Sequence, residues 1–236
     1  MIQYLKDHPD DVTRWFVAHV WLSVLPVVIG LLIALPIGWV ASRYRWTYPP
    51  ITNIAGLLYT IPSLALFIIM PSIIQTKILS PINVVVALTV YTVALLVRVV
   101  ADGLNSVPPA VRDAATAMGF KGIGRFLRVE LPIAVPVITA GVRVATVANV
   151  SLVSVGALIG VAQLGSLFTE GFSRNVMSVV LLGILLCLVL ALVLDGLILL
   201  GNRWLTPWQR LGSTPGREIP EPAATESTES PQVVQA

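Results

Sequence analysis

Charged residues are scarce in this chain of 236 residues: Asp, Glu, Lys and Arg make up 11% of the sequence, whereas hydrophobic residues make up 56%. A soluble globular domain carries about 25% charged residues. Mean hydropathy is +0.87, and the apolar residues come in blocks long enough to cross a bilayer. This deficit of charge excludes an ordinary soluble protein and indicates an all-α integral membrane protein.

Cysteine and histidine are almost absent. The single cysteine, Cys187, lies inside an apolar run and has no partner for an intrachain disulfide. The two histidines, His8 and His19, are isolated near one end of the first apolar run, without a nearby serine, cysteine and carboxylate arrangement and without metal-ligand spacing. We therefore expect no catalytic residue and no metal site in this chain.

The net charge of +3 would suggest nucleic acid as a partner if the protein were soluble. Most basic residues, however, lie between or beside apolar blocks, where they orient a chain in the membrane, so we expect no nucleic-acid binding. The opening residues, "MIQYLKDHPDDVTRW", are polar and acidic and lead straight into an apolar run. No cleavable signal peptide is expected, and the first segment should remain as an anchor.

Five apolar segments reach the length of about 20 residues that a membrane-spanning helix needs. The fourth is long, so a division of it into two, which gives six spans, is the alternative, and the loop after it could dip into the membrane. The five spans are Phe16 to Ser42, Ile51 to Ile74, Asn83 to Ala101, Pro132 to Gly160 and Val176 to Gly201.

The distribution of basic residues between the spans predicts the orientation, because loops rich in Lys and Arg stay in the cytoplasm. With the N-terminus outside, nine basic residues face the cytoplasm and four face outward. The nine are Arg43, Arg45, Arg112, Lys121, Arg125, Arg128, Arg203, Arg210 and Arg217; the four are Lys6, Arg14, Lys77 and Arg174. This count favours an outer N-terminus and a cytoplasmic C-terminus.

Residues 1–211 are assigned to the membrane domain, and the composition changes abruptly after Leu211. The remaining segment, 212–236, reads "GSTPGREIPEPAATESTESPQVVQA" and is rich in Pro, Glu, Ser and Thr. Such a segment lacks the apolar residues of a packed core. We expect a disordered cytoplasmic tail.

The most charged stretch between spans covers residues 106–132 and has the pattern of a helix-turn-helix. Pro108 and Pro109 suit the first turn of a helix whose centre is rich in alanine, and Gly119 is placed to end it. In the following "FKGIGRFLRVELP", the apolar Phe120, Ile123, Phe126 and Leu127 recur on one side and Lys121, Arg125 and Arg128 on the other, until Pro132 begins the next span.

Three readings of this loop remain open from the residues alone. It could dock to a partner protein, since the small residues of the first helix allow close approach and Gly119 allows a sharp bend. It could instead lie on anionic lipid through its basic face. A phosphate loop is disfavoured, because Arg125 and Phe126 stand where Lys and Ser or Thr are required and no strand precedes the glycines.

The same residues resemble a known signature. Asp113-Ala114-Ala115, then Gly119 after three residues, then Val129-Glu130-Leu131-Pro132 is similar to the "EAA…G…I-LP" motif of permease subunits of bacterial ABC importers, with Asp for Glu and Val for Ile. The resemblance implies the type I importer permease fold, in which this loop is the coupling helix that inserts into a cleft on a separate ATPase subunit. By this resemblance Asp113, Ala114, Ala115 and Gly119 carry the coupling role, and Leu131 and Pro132 anchor the loop to the fourth span.

A narrower resemblance covers Thr60 to Pro71, Val129 to Thr146 and Gly156 to Phe172, which look like osmoprotectant permeases for glycine betaine, choline, carnitine or proline betaine. Related methionine permeases share parts of these stretches, and a secondary transporter or channel is the alternative outside the family. The resemblance implies two ATPase subunits that hold the ATP and Mg, a second permease copy or paralogue, and an extracytoplasmic solute-binding protein. It places the chain in the lipid of the bacterial cytoplasmic membrane, with no cofactor and no enzyme activity of its own.

Charges inside the spans are costly unless they are paired or hydrated. Arg98 and Asp102 have the spacing of a helical ion pair, while Arg143 and Asp195 lie within the fourth and fifth spans. We interpret these four as structural ion pairs, with a gate at Arg98 or Arg143 as the alternative. Tyr59 and Tyr91 are candidates to line a pathway for a cationic solute, through cation-π attraction, or are simply packed.

Overall fold

A computed structural model describes residues 2–207, and all regular secondary structure in this range is helical. Residues 208–236, which include the whole of the expected tail, lie outside the described residues. The helices are α1 (Ile2–Asp7), α2 (Pro9–Arg43), α3 (Tyr48–Thr60), α4 (Ser63–Ile74), α5 (Pro81–Asn105), α6 (Pro109–Ala117), α7 (Gly122–Arg125), α8 (Leu131–Val155), α9 (Ser166–Ser173) and α10 (Met177–Leu205). A π-helical turn (Phe126–Glu130) precedes α8, and a 3-10 turn (Gly156–Ile159) follows it.

Within residues 2–207, four helical stretches can each cross a bilayer, and one bent helix pair can supply a fifth span. Helices α2, α5 and α10, together with the helical stretch Gly122–Ile159, are each long and apolar enough to cross a bilayer. The pair formed by α3 and α4 is long and apolar enough only when its two helices are taken together, and is a broken span or a re-entrant loop. No break divides α8, so the alternative with six spans is wrong for the described part of the chain.

The second span differs from its prediction, because it is a pair of helices bent by 100° rather than one helix. Pro62 explains the break: proline has no N–H and disfavours the helical conformation in the residue before it. Accordingly Ile61 is extended, with φ −64° and ψ 130°. The hydroxyl of Tyr91 on α5 donates a hydrogen bond to the carbonyl of Ile61, which satisfies one backbone group that the break frees.

The fourth span also differs, because Pro132 does not begin it. The helix runs from Gly122 into α8 through the π-helical turn, where the Leu131 N–H donates to the Phe126 carbonyl five residues back. A π turn widens the backbone locally, and proline is tolerated in the first turn of the helix that follows. The loop and the span are therefore one helical element.

Helix α5 is the centre of the bundle and packs against α2, α3, α4 and α8. Glycines on α2 allow the closest of these approaches. A Cβ at Gly30 would lie 2.5 Å from Thr92 Cγ2, and one at Gly38 would lie 2.6 Å from Val100 Cγ1. Small residues at helix interfaces allow backbones in membranes to pack closely, so α2 lies directly against α5 at these two glycines.

A buried polar network closes the end of the bundle that contains α9, called here the α9 end. His19 is fully buried, with Nδ1 2.9 Å from Gln163 Oε1 and Nε2 3.0 Å from the Val150 carbonyl oxygen. Gln163 Nε2 donates to the Val153 carbonyl at 2.9 Å. The contacts of His19 are with an amide side chain and a backbone carbonyl, and they tie α2 to α8 and to the loop before α9.

Tyr4 of α1 adds a second contact at the α9 end. Its hydroxyl donates a hydrogen bond of 2.7 Å to Glu170 Oε2 on α9. Partial burial, followed by the bond to the Glu170 carboxylate, raises the pKa of Tyr4 to about 12. The hydroxyl therefore remains a donor well above neutral pH, and α1 stays attached to α9.

Candidate functional site

The loop between α5 and α8 is built around one left-handed residue. Helix α6 ends at Ala117, Met118 is its C-cap, and Gly119 follows with φ +89°. The Gly119 N–H donates to the Thr116 carbonyl at 3.0 Å, and the Phe120 N–H donates to the Ala115 carbonyl at 3.1 Å. This is the Schellman arrangement, in which glycine has no steric penalty, so Gly119 sets the direction in which the chain leaves α6.

The tip of this loop leaves large apolar side chains in the open. Met118, Ile123 and Leu127 are each more than half exposed, and Asp113 and Ala114 beside them are exposed too. Ala115, by contrast, is buried. Exposed apolar groups outside the spans of a membrane helix bundle mark a contact with another protein or with lipid. We call Met118, Ile123 and Leu127 the apolar tip.

The predicted apolar side of the second helix is therefore divided. Phe126 turns inward and packs against Trp39 of α2 with a ring-centroid distance of 5.7 Å, while Ile123 and Leu127 face outward. The π-helical turn changes the helical repeat between these residues, and a prediction based on 3.6 residues per turn cannot include that change.

Arg125 is also placed differently from the prediction of an exposed basic face. Its Nε donates to Glu130 Oε1 at 2.6 Å, and the two side chains are only 16% and 10% exposed. Its Nη1 also donates to Thr116 Oγ1 on α6 at 2.9 Å. Arg125 thus joins α6, α7 and the start of α8, whereas Lys121 and Arg128 remain exposed.

The residues predicted to anchor the loop lie in the first turn of α8. Leu131 is half-buried and packs against the core cluster that contains Leu104 and Ala134, and Pro132 beside it is also half-buried. Because both residues belong to α8, the loop continues directly into this helix of the bundle.

The two tyrosines proposed to line a pathway lie together at the bend between α3 and α4. Their rings meet edge to face, with centroids 5.7 Å apart and planes at 87°. Tyr59 is 44% exposed, but Tyr91 is only 4% exposed and belongs to the core. Tyr91 positions the bend and its neighbour's ring, and Tyr59 alone presents a ring to the surroundings.

The intramembrane charges form two ion pairs. Arg143 of α8 donates to both carboxylate oxygens of Asp195 on α10, from Nε at 2.6 Å and from Nη2 at 2.8 Å. Arg98 lies 3.8 Å from Asp102, and the Tyr48 hydroxyl donates to Asp102 at 2.5 Å. The first pair joins two helices, whereas the second lies on the open side of α5 facing α3.

A family model described as the binding-protein-dependent transport system inner membrane component matches residues 26–207. The chain belongs to this family. The match covers α3 to α10 completely and the second half of α2, so the loop with the apolar tip lies inside the family's common region.

Two curated relatives of this transport component cover nearly its whole length. The osmoprotectant import permease protein OsmW of Salmonella typhimurium is 33% identical over 199 residues, which are 84% of this chain and 93% of OsmW. The choline transport system permease protein OpuBB of Bacillus subtilis is 27% identical over 207 residues, which are 88% of this chain and 94% of OpuBB.

Solved structures with the same fold include a chain of the inward-facing MetNI methionine ABC transporter, with a TM-score of 0.68, 19% identity and coverage of 79% of this chain and 94% of that chain. A chain of an amino acid ABC transporter, determined with histidines, matches with a TM-score of 0.69, 17% identity and coverage of 86% and 97%. At these identities the likeness establishes the fold of the transport component: that of a type I ABC transporter permease.

Sequence reasoning predicted that Arg143 is paired without identifying its partner, and it missed the contacts of Arg125 and His19. The partners of Arg125, Arg143 and His19 lie 5, 52 and 144 residues away in sequence. Only the first left a local signal, since Glu130 follows Arg125 at the spacing of one π turn. The other two depend on which helices pack together, so the residues alone could not pair them.

Proposed function

We propose that the chain is the transmembrane permease subunit of an ATP-driven ABC importer for a small osmoprotectant such as glycine betaine, choline, carnitine or proline betaine. The observation that carries the importer assignment is the apolar tip, held on a glycine bend and fixed to α8 by the pair of Arg125 and Glu130. The printed functions of OsmW and OpuBB support the class of solute.

The loop of residues 106–132 is the contact for the ATPase. Asp113 and Ala114 with the apolar tip form the docking surface, and Gly119 gives the loop its direction. Ala115, being buried, keeps α6 close to the bundle. Leu131 and Pro132 continue the docked loop into α8, so that movement of the ATPase reaches the membrane helices.

The working assembly contains two permease chains, this one paired with a second copy or a paralogue, two ATPase subunits and an extracytoplasmic solute-binding protein. ATP and Mg are bound by the ATPase, and this chain has no catalytic role. Alternating access then moves the solute inward between the two permeases.

The importer assignment is tested by purification from detergent and by transport in vesicles. The ATPase subunit should be retained by the intact chain and lost from a variant with Met118, Ile123 and Leu127 all changed to Ser. Uptake into vesicles that contain only this chain would instead support a secondary transporter or channel.

The solute is tested by uptake of labelled glycine betaine, choline, carnitine and methionine at high external osmolarity, with and without the gene. If uptake of the quaternary ammonium (onium) solutes glycine betaine, choline or carnitine depends on the gene, the osmoprotectant assignment is supported. If only methionine uptake depends on the gene, the chain is still an importer permease, but for a different solute.

The orientation has the N-terminus outside and the C-terminus in the cytoplasm, supported by the nine basic residues on the inner side against four on the outer. A reporter that is active only in the cytoplasm, fused after Arg210, should be active. Silence there together with activity of an N-terminal fusion would reverse the assignment.

A further inference from the structure

The break between α3 and α4 lies beside the middle of a membrane-spanning helix. Tyr91, whose hydroxyl binds the Ile61 carbonyl, is the eleventh of the 25 residues of α5. Thr60, Ile61 and Pro62 are nevertheless all exposed. Non-helical backbone at membrane depth occurs where it is buried in protein or borders a water-filled cavity, so this face of the chain does not lie against lipid.

Polar and charged side chains continue along the same face. The Arg98 side chain is 70% exposed and that of Asp102 is 47% exposed, although both belong to the spanning helix α5. Exposed ionisable groups in a membrane helix face a bundle interior or a hydrated cavity. The contacts of Tyr59 with Tyr91 and of Tyr48 with Asp102 show that α3 and α5 run antiparallel along this face.

A groove of about 310 Å³ lies between α3 and α5 on this side. Thr52, Gly56 and Tyr59 line it from α3, and Leu95 and Arg98 line it from α5. The α3 residues are three or four positions apart, which places them on one face of the helix. The groove therefore leads from the break, at Tyr59, toward Arg98, and its size suits a small solute.

The end of the groove at the break is suited to a cation that cannot donate hydrogen bonds. The last carbonyls of an α-helix have no partner within it and carry partial negative charge, and Pro62 offers them no N–H. At the break, Thr60 Oγ1 donates to the Leu57 carbonyl, the Ile61 N–H donates to the Leu58 carbonyl, and Tyr91 donates to the Ile61 carbonyl. The Tyr59 and Thr60 carbonyls are left for a ligand, next to the exposed Tyr59 ring.

We infer that this groove is a binding site for the quaternary ammonium group of the transported solute, formed by the Tyr59 ring and the carbonyl end of α3. The inference rests on the proposed function, and it adds that the permease itself, and not only the separate binding protein, recognises the onium group. Tyr91 is a positioning residue, because it holds the Tyr59 ring and the break in place without facing the groove.

Gly56 allows the groove to be filled without disturbing packing, since a Cβ there would meet nothing within 4 Å. In the whole importer, reconstituted with its ATPase and binding protein, choline uptake should fall progressively from Gly56→Ala to Gly56→Leu, with a loss of roughly tenfold for Leu. Gly196→Leu is the matched control, because a Cβ at Gly196 on α10 also meets nothing within 4 Å. Unchanged uptake by Gly56→Leu, or an equal loss with Gly196→Leu, would overturn the groove as the solute route.

Substitutions of Tyr59 test whether the site recognises the charge of the solute. Binding is measured on the assembled permease and ATPase complex in lipid nanodiscs, without the binding protein. The probes are labelled choline and its neutral analogue, in which a tert-butyl group replaces the trimethylammonium group. The preference for choline over the analogue should fall about 3- to 30-fold in Tyr59→Leu, the usual range for one cation-π contact. Tyr59→Phe should retain the preference, and Tyr44→Leu, which removes an exposed ring outside the groove, should leave it unchanged.

Different results would contradict the proposed function and the groove site. If the unmodified importer transports no onium solute, the proposed function is wrong. If it does so but Tyr59→Leu still prefers choline to the neutral analogue as strongly as the unmodified complex does, the proposed function stands and this site is wrong.

Discussion

At the α9 end of the bundle, His19 and Gln163 are fully buried and bonded to each other, whereas at the opposite end, which contains α6, the side chains of the apolar tip lie in the open. At the α9 end, polar groups are buried and form their hydrogen bonds within the chain. The opposite end leaves the apolar side chains of a loop exposed, where another protein or the membrane surface can cover them. Exposure alone does not separate the two ends, because Phe172 and Met177 at the α9 end are 86% and 69% exposed. What separates them is the buried, bonded polar network at one end and, at the other, a loop whose apolar side chains are proposed to contact the ATPase.

The largest effect on transport is expected from a change in the loop at the α6 end, where the proposed ATPase partner docks. Gly119→Val should nearly abolish transport while the protein remains in the membrane, because it places a β-branched side chain at φ +89°. Gly124→Val is the matched control: a Cβ there also meets nothing within 4 Å, and its φ is not in the left-handed region. Uptake assays with quantified membrane protein compare the two, and full transport by the Gly119 variant would show that the bend is not required for coupling.

The second-largest effect is expected from breaking the buried ion pair of Arg125 and Glu130 at the same end. Glu130→Gln removes one charge of a pair whose side chains are 16% and 10% exposed, and this should cost about 3 kcal/mol of stability around α6 and α7. Arg14→Gln breaks an exposed pair with Asp11 in the first turns of α2 and should cost about 0–1 kcal/mol. Hydrogen exchange of residues 106–130 measures the first effect, and equal losses from the two variants would contradict the distinction between a buried and an exposed pair.

A smaller loss is expected at the α9 end. His19→Leu removes both ring nitrogens, which lie 2.9 Å from Gln163 Oε1 and 3.0 Å from the Val150 carbonyl oxygen. A buried hydrogen bond is therefore lost, which should lower the free energy of unfolding by about 2 kcal/mol. His8, which is exposed and stacks on Tyr4, provides the control, and His8→Leu should change stability by less than about 0.5 kcal/mol. Thermal unfolding in detergent is the measurement, and similar melting temperatures for the two variants would mean that the network does not stabilise this end.

The smallest effect concerns residues 212–236, which lie outside the described part of the chain. Their removal should leave basal uptake unchanged, because the segment lacks the apolar residues that packing requires. Uptake and membrane protein level after truncation at Leu211 test this, and a loss of either would give the segment a structural role.

The sequence allowed prediction of those features that depend on neighbouring residues. Helix α6 and the bend at Gly119 followed from Pro108, Pro109 and one glycine, and the five spans followed from apolar length. The break in the second span could not be predicted in this way. Pro26 and Pro36 lie within α2, and Pro136 lies within α8, without ending either helix.

What distinguishes Pro62 is a donor from a remote residue. Tyr91, 30 positions along the chain from Ile61, supplies the hydrogen bond that the open backbone needs. The pairing of Arg143 with Asp195 is of the same kind, because it requires α8 and α10 to be neighbours. Local chemistry therefore predicts where a helix can be interrupted, and tertiary contacts decide whether the interruption occurs.

The continuity of the helix from Gly122 to Ile159 has a mechanical consequence. These 38 residues correspond to about 57 Å of helix at 1.5 Å per residue. One end carries Ile123 of the apolar tip, and the other carries the Val150 and Val153 carbonyls that hold His19 and Gln163. A rotation of about 10° around the middle of such a rod moves each end by roughly 5 Å in opposite directions. The element can thus act as a lever, converting an inward pull at one membrane surface into an outward swing at the other within a single covalent piece.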